Sequence, residues 1–129
     1  MRQLLLIYGP PRSGKTTAAW QVARGMTGKT AVISVDQLLA GAIAIPDVDI
    51  DAELEMVHVQ VRLLTANYLK NGYNVVIEGP FVFEREGRLY SYEREIGEIP
   101  ALMRNLTTST LTLRLRASAE TLTERSDSA

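Results

Sequence analysis

Eight consecutive residues, Gly9-Pro10-Pro11-Arg12-Ser13-Gly14-Lys15-Thr16, match the phosphate-binding pattern G-x-x-x-x-G-K-[ST] at every required place. Such spacing serves to cradle a polyphosphate. Glycine lets the backbone wrap an anion with no side chain in the way, and successive N–H groups then point inward as a nest. A helix that follows adds its unpaired N–H groups and the positive end of its dipole. In this pattern Lys15 reaches the β- and γ-phosphates as a mobile charge, and Thr16 offers its hydroxyl to Mg2+. Pro10 and Pro11 have no N–H and stiffen the start of the turn instead. Arg12 and Ser13 fill variable places, and Thr17 ends the expected nucleotide-binding run that starts at Gly9. Glycines that served only a strand-to-helix turn would not require Lys and Thr in those two places.

Two carboxylates could join this chemistry. Asp36 closes the apolar run from Thr30 to Val35, and Glu78 closes the run from Tyr73 to Ile77. A carboxylate beside a triphosphate can hold Mg2+ through water or accept a proton from an incoming hydroxyl. Asp36 is therefore a candidate catalytic residue with Lys15, and Glu78 a candidate metal ligand with Thr16. Asp36 equally suits a helix N-cap before Gln37-Leu38-Leu39, and Glu78 a solvated strand end.

Alternating elements must position these groups. The nearly all-apolar segment from Gln3 to Tyr8 predicts a strand covered on both faces. A helix is expected from about Gly14 to Arg24, then a second strand over 30–35. The signal weakens between Leu38 and Asp51, where Ile45-Pro46-Asp47 breaks any helix. Leu54, Val57, Val61, Leu64 and Tyr68 form an apolar stripe that predicts a helix over 51–70, with Asn71-Gly72 as its stop. A third strand over 73–78 ends at Gly79-Pro80. The charged stretch 84–98 reads as a loop with helical pieces, and 99–106 as a short helix with Pro100 in its first turn. Clean alternation over 110–116 predicts a fourth strand, half covered or at an edge, and Ser118 would cap a last helix. Trp20 is expected in the core, His58 as a surface or packing residue, and Arg85 and Arg88 as solvated charges.

This order implies an α/β fold, with a parallel sheet between helices on both faces and right-handed crossovers. Ligands gather at the carboxyl ends of such strands, where the phosphate loop, Asp36 and Glu78 all fall.

The chain has 129 residues, enough for one domain with a core. Its 14 basic and 15 acidic residues give a net charge of −1, so no broad field favours nucleic acid or an anionic membrane. The absence of cysteine excludes disulfides and thiolate metal sites, and fits a cytoplasmic setting. No apolar run approaches the length of a membrane span.

The segments G-P-P-R-S-G-K-T-T, V-I-S-V-D-Q-L and N-G-Y-N-V-V-I-E-G-P-F together resemble the P-loop kinase-like ATPases. That group includes small AAA-type, polynucleotide kinase, zeta toxin and chloramphenicol phosphotransferase types. The resemblance spans essentially the whole chain. It implies a three-layer α/β/α P-loop NTPase fold of nucleoside-kinase type, with ATP or GTP and Mg2+ as cofactors. It also implies transfer of the γ-phosphate to a hydroxyl of a small molecule or nucleotide. The acid ending the second strand of those families serves as base or metal organiser at the acceptor hydroxyl, and Asp36 matches it. Glu78 matches the acidic residue that often holds Mg2+ through water. Several relatives carry an Arg shortly after the first acid, where this chain has Gln37, Leu38 and Leu39, which leaves the acceptor open.

Resembling kinases usually continue into a mobile basic lid and a fifth strand. This sequence stops at Ala129 with Arg125 as the basic residue of its last helix, so 1–129 is expected to be a single, C-terminally truncated domain. An alternative reading is a nucleotide-binding regulatory module or weak NTPase with no acceptor of its own. There Glu78 would organise a hydrolytic water, and the surface over 85–98 would contact a partner. A third is a toxin-like kinase acting on a cell-wall sugar nucleotide.

Overall fold

The structure, a computed structural model, describes residues 2–10, 13–85 and 87–115. Four parallel strands form its main sheet: β1 (Gln3–Tyr8), β2 (Thr30–Ser34), β3 (Asn74–Gly79) and β6 (Ser109–Arg114), in the order β2-β3-β1-β6. Helix α1 (Lys15–Gly25) follows β1, and α2 (Ile50–Lys70) joins β2 to β3. Between β3 and β6 lie an antiparallel hairpin, β4 (Val82–Arg85) and β5 (Arg88–Ser91), then helix α3 (Arg94–Leu102).

Strand alternation divides the core into two layers. Leu5, Ile7 and Val76 pack with Ala19 of α1 on one face of the sheet. Leu4, Leu6, Val75 and Ile77 pack on the other face with Leu54, Val57 and Val61 of α2 and Ile99 of α3. Helices therefore cover both faces, giving the expected three-layer α/β/α arrangement. All six residues of β3 are buried, whereas all six of β6 are exposed at the sheet edge. The half-covered or edge position read from the alternation of β6 is the one observed.

Three expectations are corrected. The charged stretch after β3 contains a hairpin rather than a loop. Its second strand follows Gly87, at φ 76°, a conformation that glycine adopts without penalty. Charges hid it, because the strands of an isolated two-stranded sheet need not be apolar throughout. Helix α3 begins at Arg94, not near Ile99, and holds Pro100 in its interior, two residues before its end. Glu95 anchors that helix by pairing with Arg62 of α2, and is itself fully buried. Trp20 is 48% exposed, with the Arg24 guanidinium 5.9 Å from its ring, because it sits on the outer face of α1.

His58 is a packing residue. It is buried and stacked on Tyr92 at 4.0 Å, and its Nδ1–H donates to the Leu54 carbonyl at 2.8 Å. Arg88 forms an exposed ion pair with Asp51 at 3.1 Å. No described helix is long and apolar enough to cross a membrane. The expected helix after Ser118 and Arg125 lie outside the described residues.

Candidate functional site

The parallel register brings the carboxyl ends of β1, β2 and β3 side by side, with Ile7 opposite Glu78 and Ser34 opposite Glu78 on the other flank. The loop after β1 therefore begins one strand away from Glu78. Gly9 is packed so closely that a Cβ there would lie 2.7 Å from the Leu115 carbonyl oxygen. Gly14 adopts φ 88° immediately before α1, a left-handed turn that a side chain would strain. Helix α1 starts with no side-chain cap and no acid in its first turn. Its N–H groups are thus left for an external anion.

Lys15 is buried to 7% exposure, and its ammonium donates to the Pro10 carbonyl at 3.0 Å. Pro10 N–H is absent by chemistry, but its carbonyl also accepts from Ser13 N–H at 3.3 Å. The Ser13 hydroxyl is buried without a hydrogen-bond partner. An orphaned hydroxyl beside an uncapped helix start fits a phosphate, whose oxygens accept from every donor there. Thr17 is exposed on the first turn. Pro11 and Arg12 lie outside the described residues.

Glu78 has no exposed surface. Thr16 Oγ1 donates to its Oε2 at 2.8 Å, and Ser34 Oγ donates to its Oε1 at 2.6 Å. Glu78 is thus a buried, hydrogen-bonded carboxylate rather than a solvated strand end. A hydroxyl that donates its proton to Glu78 keeps its lone pairs for a cation. The pair Thr16 and Glu78 therefore fits Mg2+, directly through the hydroxyl and through water from the carboxylate. Among the described residues no cluster of three or more acids, His or Cys could hold a metal alone. Such a site suits Mg2+, which takes few protein ligands and completes its shell with water and phosphate.

Asp36 lies just beyond β2, in helical backbone at φ −62° and ψ −37°, leading into a wide, π-type helical turn over Gln37–Gly41. Its carboxylate makes no capping bond there. Gln37 N–H instead donates to Ser34 Oγ at 3.4 Å, so the capping role falls to Ser34. Asp36 reaches solvent, yet surrounding protein desolvates its carboxyl and lifts its pKa above 3.8. The negative charge of Glu78 adds to the rise, and Lys15 opposes it. Lys15, Asp36 and Glu78 thus share one electrostatic site.

A cleft of about 610 Å³ opens beside this site. Tyr8, Gly9, Pro10, Pro80, Glu93 and Arg114 are among its lining residues, and Asp36 is not. Gly79 brings β3 against β2 so tightly that a Cβ would lie 2.8 Å from Val35 Cγ2. Phe81, two residues on, is buried at φ 58°, in the left-handed region, and its carbonyl accepts from Tyr92 N–H at 2.6 Å. Sequence reasoning missed Ser34. Its position two residues before Asp36, directly after the apolar run Ala31-Val32-Ile33, was the available signal.

Residues 4–128 match the protein family described as AAA domain, nearly the full chain. The chain belongs to that family. No curated protein matches the sequence of this AAA domain. Solved structures share its fold. A sugar kinase from Janibacter sp. superposes with a TM-score of 0.60 at 18% identity, over 100% of this chain and 68% of that one. Thymidylate kinase from Candida albicans gives 0.57 at 18% identity, over 95% of this chain and 66% of that one. A chain of the Pnkp1/Rnl/Hen1 RNA repair complex gives 0.69 at 20% identity, over 98% of this chain and 37% of that one. The AAA domain therefore has the α/β architecture of these kinases. It spans about two thirds of the two kinases and little more than a third of the repair chain.

Proposed function

We propose that this AAA domain moves the γ-phosphate of ATP or GTP to a hydroxyl of a small molecule or nucleotide. The observation that carries the reading is the shared site of Lys15, Asp36 and Glu78, with Thr16 bonded to Glu78. The loop N–H groups and Lys15 bind the phosphates, and binding frees the Lys15 ammonium from the Pro10 carbonyl. Thr16 and Glu78 hold Mg2+, which supplies charge neutralisation on the phosphates when bound. Asp36 orients the acceptor hydroxyl and accepts its proton. Its raised pKa supports that role, because a base works best when its pKa approaches the working pH.

The raised, solvent-reaching Asp36 favours transfer over a hydrolytic module, since hydrolysis needs no second carboxylate at the acceptor side. The test is a screen of hydroxyl acceptors with γ-labelled ATP and Mg2+, run with the protein and its Asp36→Ala variant. Label should pass to one acceptor class with the parent protein and to none with the variant. Hydrolysis that ignores every acceptor and persists in Asp36→Ala would overturn the reading.

A further inference from the structure

We propose that Ser34 is a positioning residue that sets Glu78 for the metal and ties it to the turn bearing Asp36; this rests on the phosphotransfer reading above. The two oxygens of the buried Glu78 carboxylate are held from opposite sides. Thr16, at the end of the phosphate loop, takes Oε2, and Ser34, the last residue of β2, takes Oε1. Ser34 also lies directly opposite Glu78 in the β2–β3 register, so its hydroxyl need not reach across the sheet.

A serine hydroxyl has one proton and two lone pairs. Here the proton goes to Glu78, while a lone pair accepts the Gln37 N–H at the start of the π-type turn. One hydroxyl therefore joins the metal-side carboxylate to the backbone that carries Asp36. Fixing Oε1 leaves the carboxylate one orientation, with Oε2 toward Thr16. Without Ser34, a buried oxygen loses its donor, the carboxylate can rotate, and the Thr16 hydroxyl loses its fixed acceptor. Ser34 never needs to touch substrate or metal. Its effect passes through Glu78.

The experiment measures ATP binding by calorimetry, with Mg2+ and again with EDTA, for the parent protein, Ser34→Ala and Ser34→Thr. Groups that orient a metal ligand typically change metal affinity by about 10–100-fold, whereas ATP binding in EDTA should move by no more than about twofold. Expected, then, is a loss of that size for Ser34→Ala with Mg2+ alone, and recovery in Ser34→Thr, which keeps the hydroxyl. Ser34→Cys keeps the size with only a weak donor, and should shift in the same direction as Ser34→Ala if the latter does not fold. The inference is overturned if Ser34→Ala, or Ser34→Cys in its place, binds MgATP like the parent. Equal losses in Mg2+ and EDTA also overturn it, since they mark a merely structural role. A parent protein whose ATP affinity ignores Mg2+ defeats the phosphotransfer reading itself, and with it this inference. That result is seen before any variant is made.

Discussion

Thr16 Oγ1 donates a 2.8 Å hydrogen bond to Glu78 Oε2, joining residues 62 positions apart in the chain. Under the function proposed above, the bond makes them one Mg2+-binding device. Glu78→Ala and Thr16→Ala should therefore each weaken Mg2+-dependent ATP binding, and the double variant should lose less than the sum. A coupling energy of about 0.5–3 kcal/mol is expected for residues in one hydrogen-bond network. Calorimetric titration of MgATP over the four proteins measures it, and strict additivity would contradict the shared role.

Lys15 offers a cleaner loss. Its buried ammonium is held by a neutral carbonyl, a partner that a phosphate outcompetes by charge. Lys15→Ala should weaken ATP binding by about 10–100-fold, the worth of a charged hydrogen bond of about 1.5–3 kcal/mol. Fluorescent-nucleotide titration reads this directly. Affinity within a factor of about two of the parent would remove Lys15 from the phosphate site.

Asp36 should separate catalysis from binding. Because its carboxyl titrates above 3.8, its base form is lost at a higher pH than an ordinary aspartate's as the solution is acidified. Transfer activity should fall along that displaced acid limb, and Asp36→Asn should abolish transfer at every pH while leaving ATP affinity within a few fold. A pH–rate profile with a nucleotide-binding control checks both halves. Retained transfer in Asp36→Asn would assign the proton to another group.

His58 predicts a pH effect on stability. Burial is the leading cause lowering its pKa below 6.5, while the bond to the Leu54 carbonyl and the charges of Glu95 and Glu55 pull it upward, and Arg62 adds to the lowering. The unfolded chain therefore binds a proton more readily than the folded one. Stability is complete above 6.5 and declines as the pH falls through the lower folded-state value. Urea unfolding between neutral and mildly acidic pH should show this decline, and His58→Phe, which keeps a ring against Tyr92, should flatten it. An unchanged slope in His58→Phe would assign the decline to other groups.

Gly79→Ala tests the seam between β3 and β2. The new methyl would sit 2.8 Å from Val35 Cγ2 and 2.9 Å from Val35 Cβ, immediately before Asp36. Overpacking of this kind costs about 1–3 kcal/mol, and here it should also displace Asp36 and reduce transfer. Thermal unfolding with an activity assay distinguishes the two effects. A variant with parental stability would show that the seam yields freely.

Local chemistry was legible without the structure wherever a residue's role follows from its neighbours in the chain. The strand-to-helix turn needs only its own backbone and the helix after it, so the spacing of Gly9 to Thr16 foretold the left-handed Gly14 and the start of α1. Apolar runs foretold the first three parallel strands, alternation the fourth, the phosphate motif α1, and an apolar stripe α2. The β4–β5 hairpin stayed hidden because Glu84, Arg85 and Arg88 show none of the apolar alternation that marks a strand against a core. Burial of Glu95 was equally hidden, since it depends on a partner from another element.

The sequence by itself determined that a phosphate-loop pattern follows the first strand, and that two acidic residues end the next two. Only the tertiary structure decided how those carboxylates are placed. Strand register brings Ser34 beside Glu78, and Thr16 reaches it from the loop; Glu78 is buried and hydrogen-bonded, while Asp36 stays open to solvent. Spacing along a chain cannot state that difference, because it is set by which hydroxyls the fold brings within reach of each oxygen.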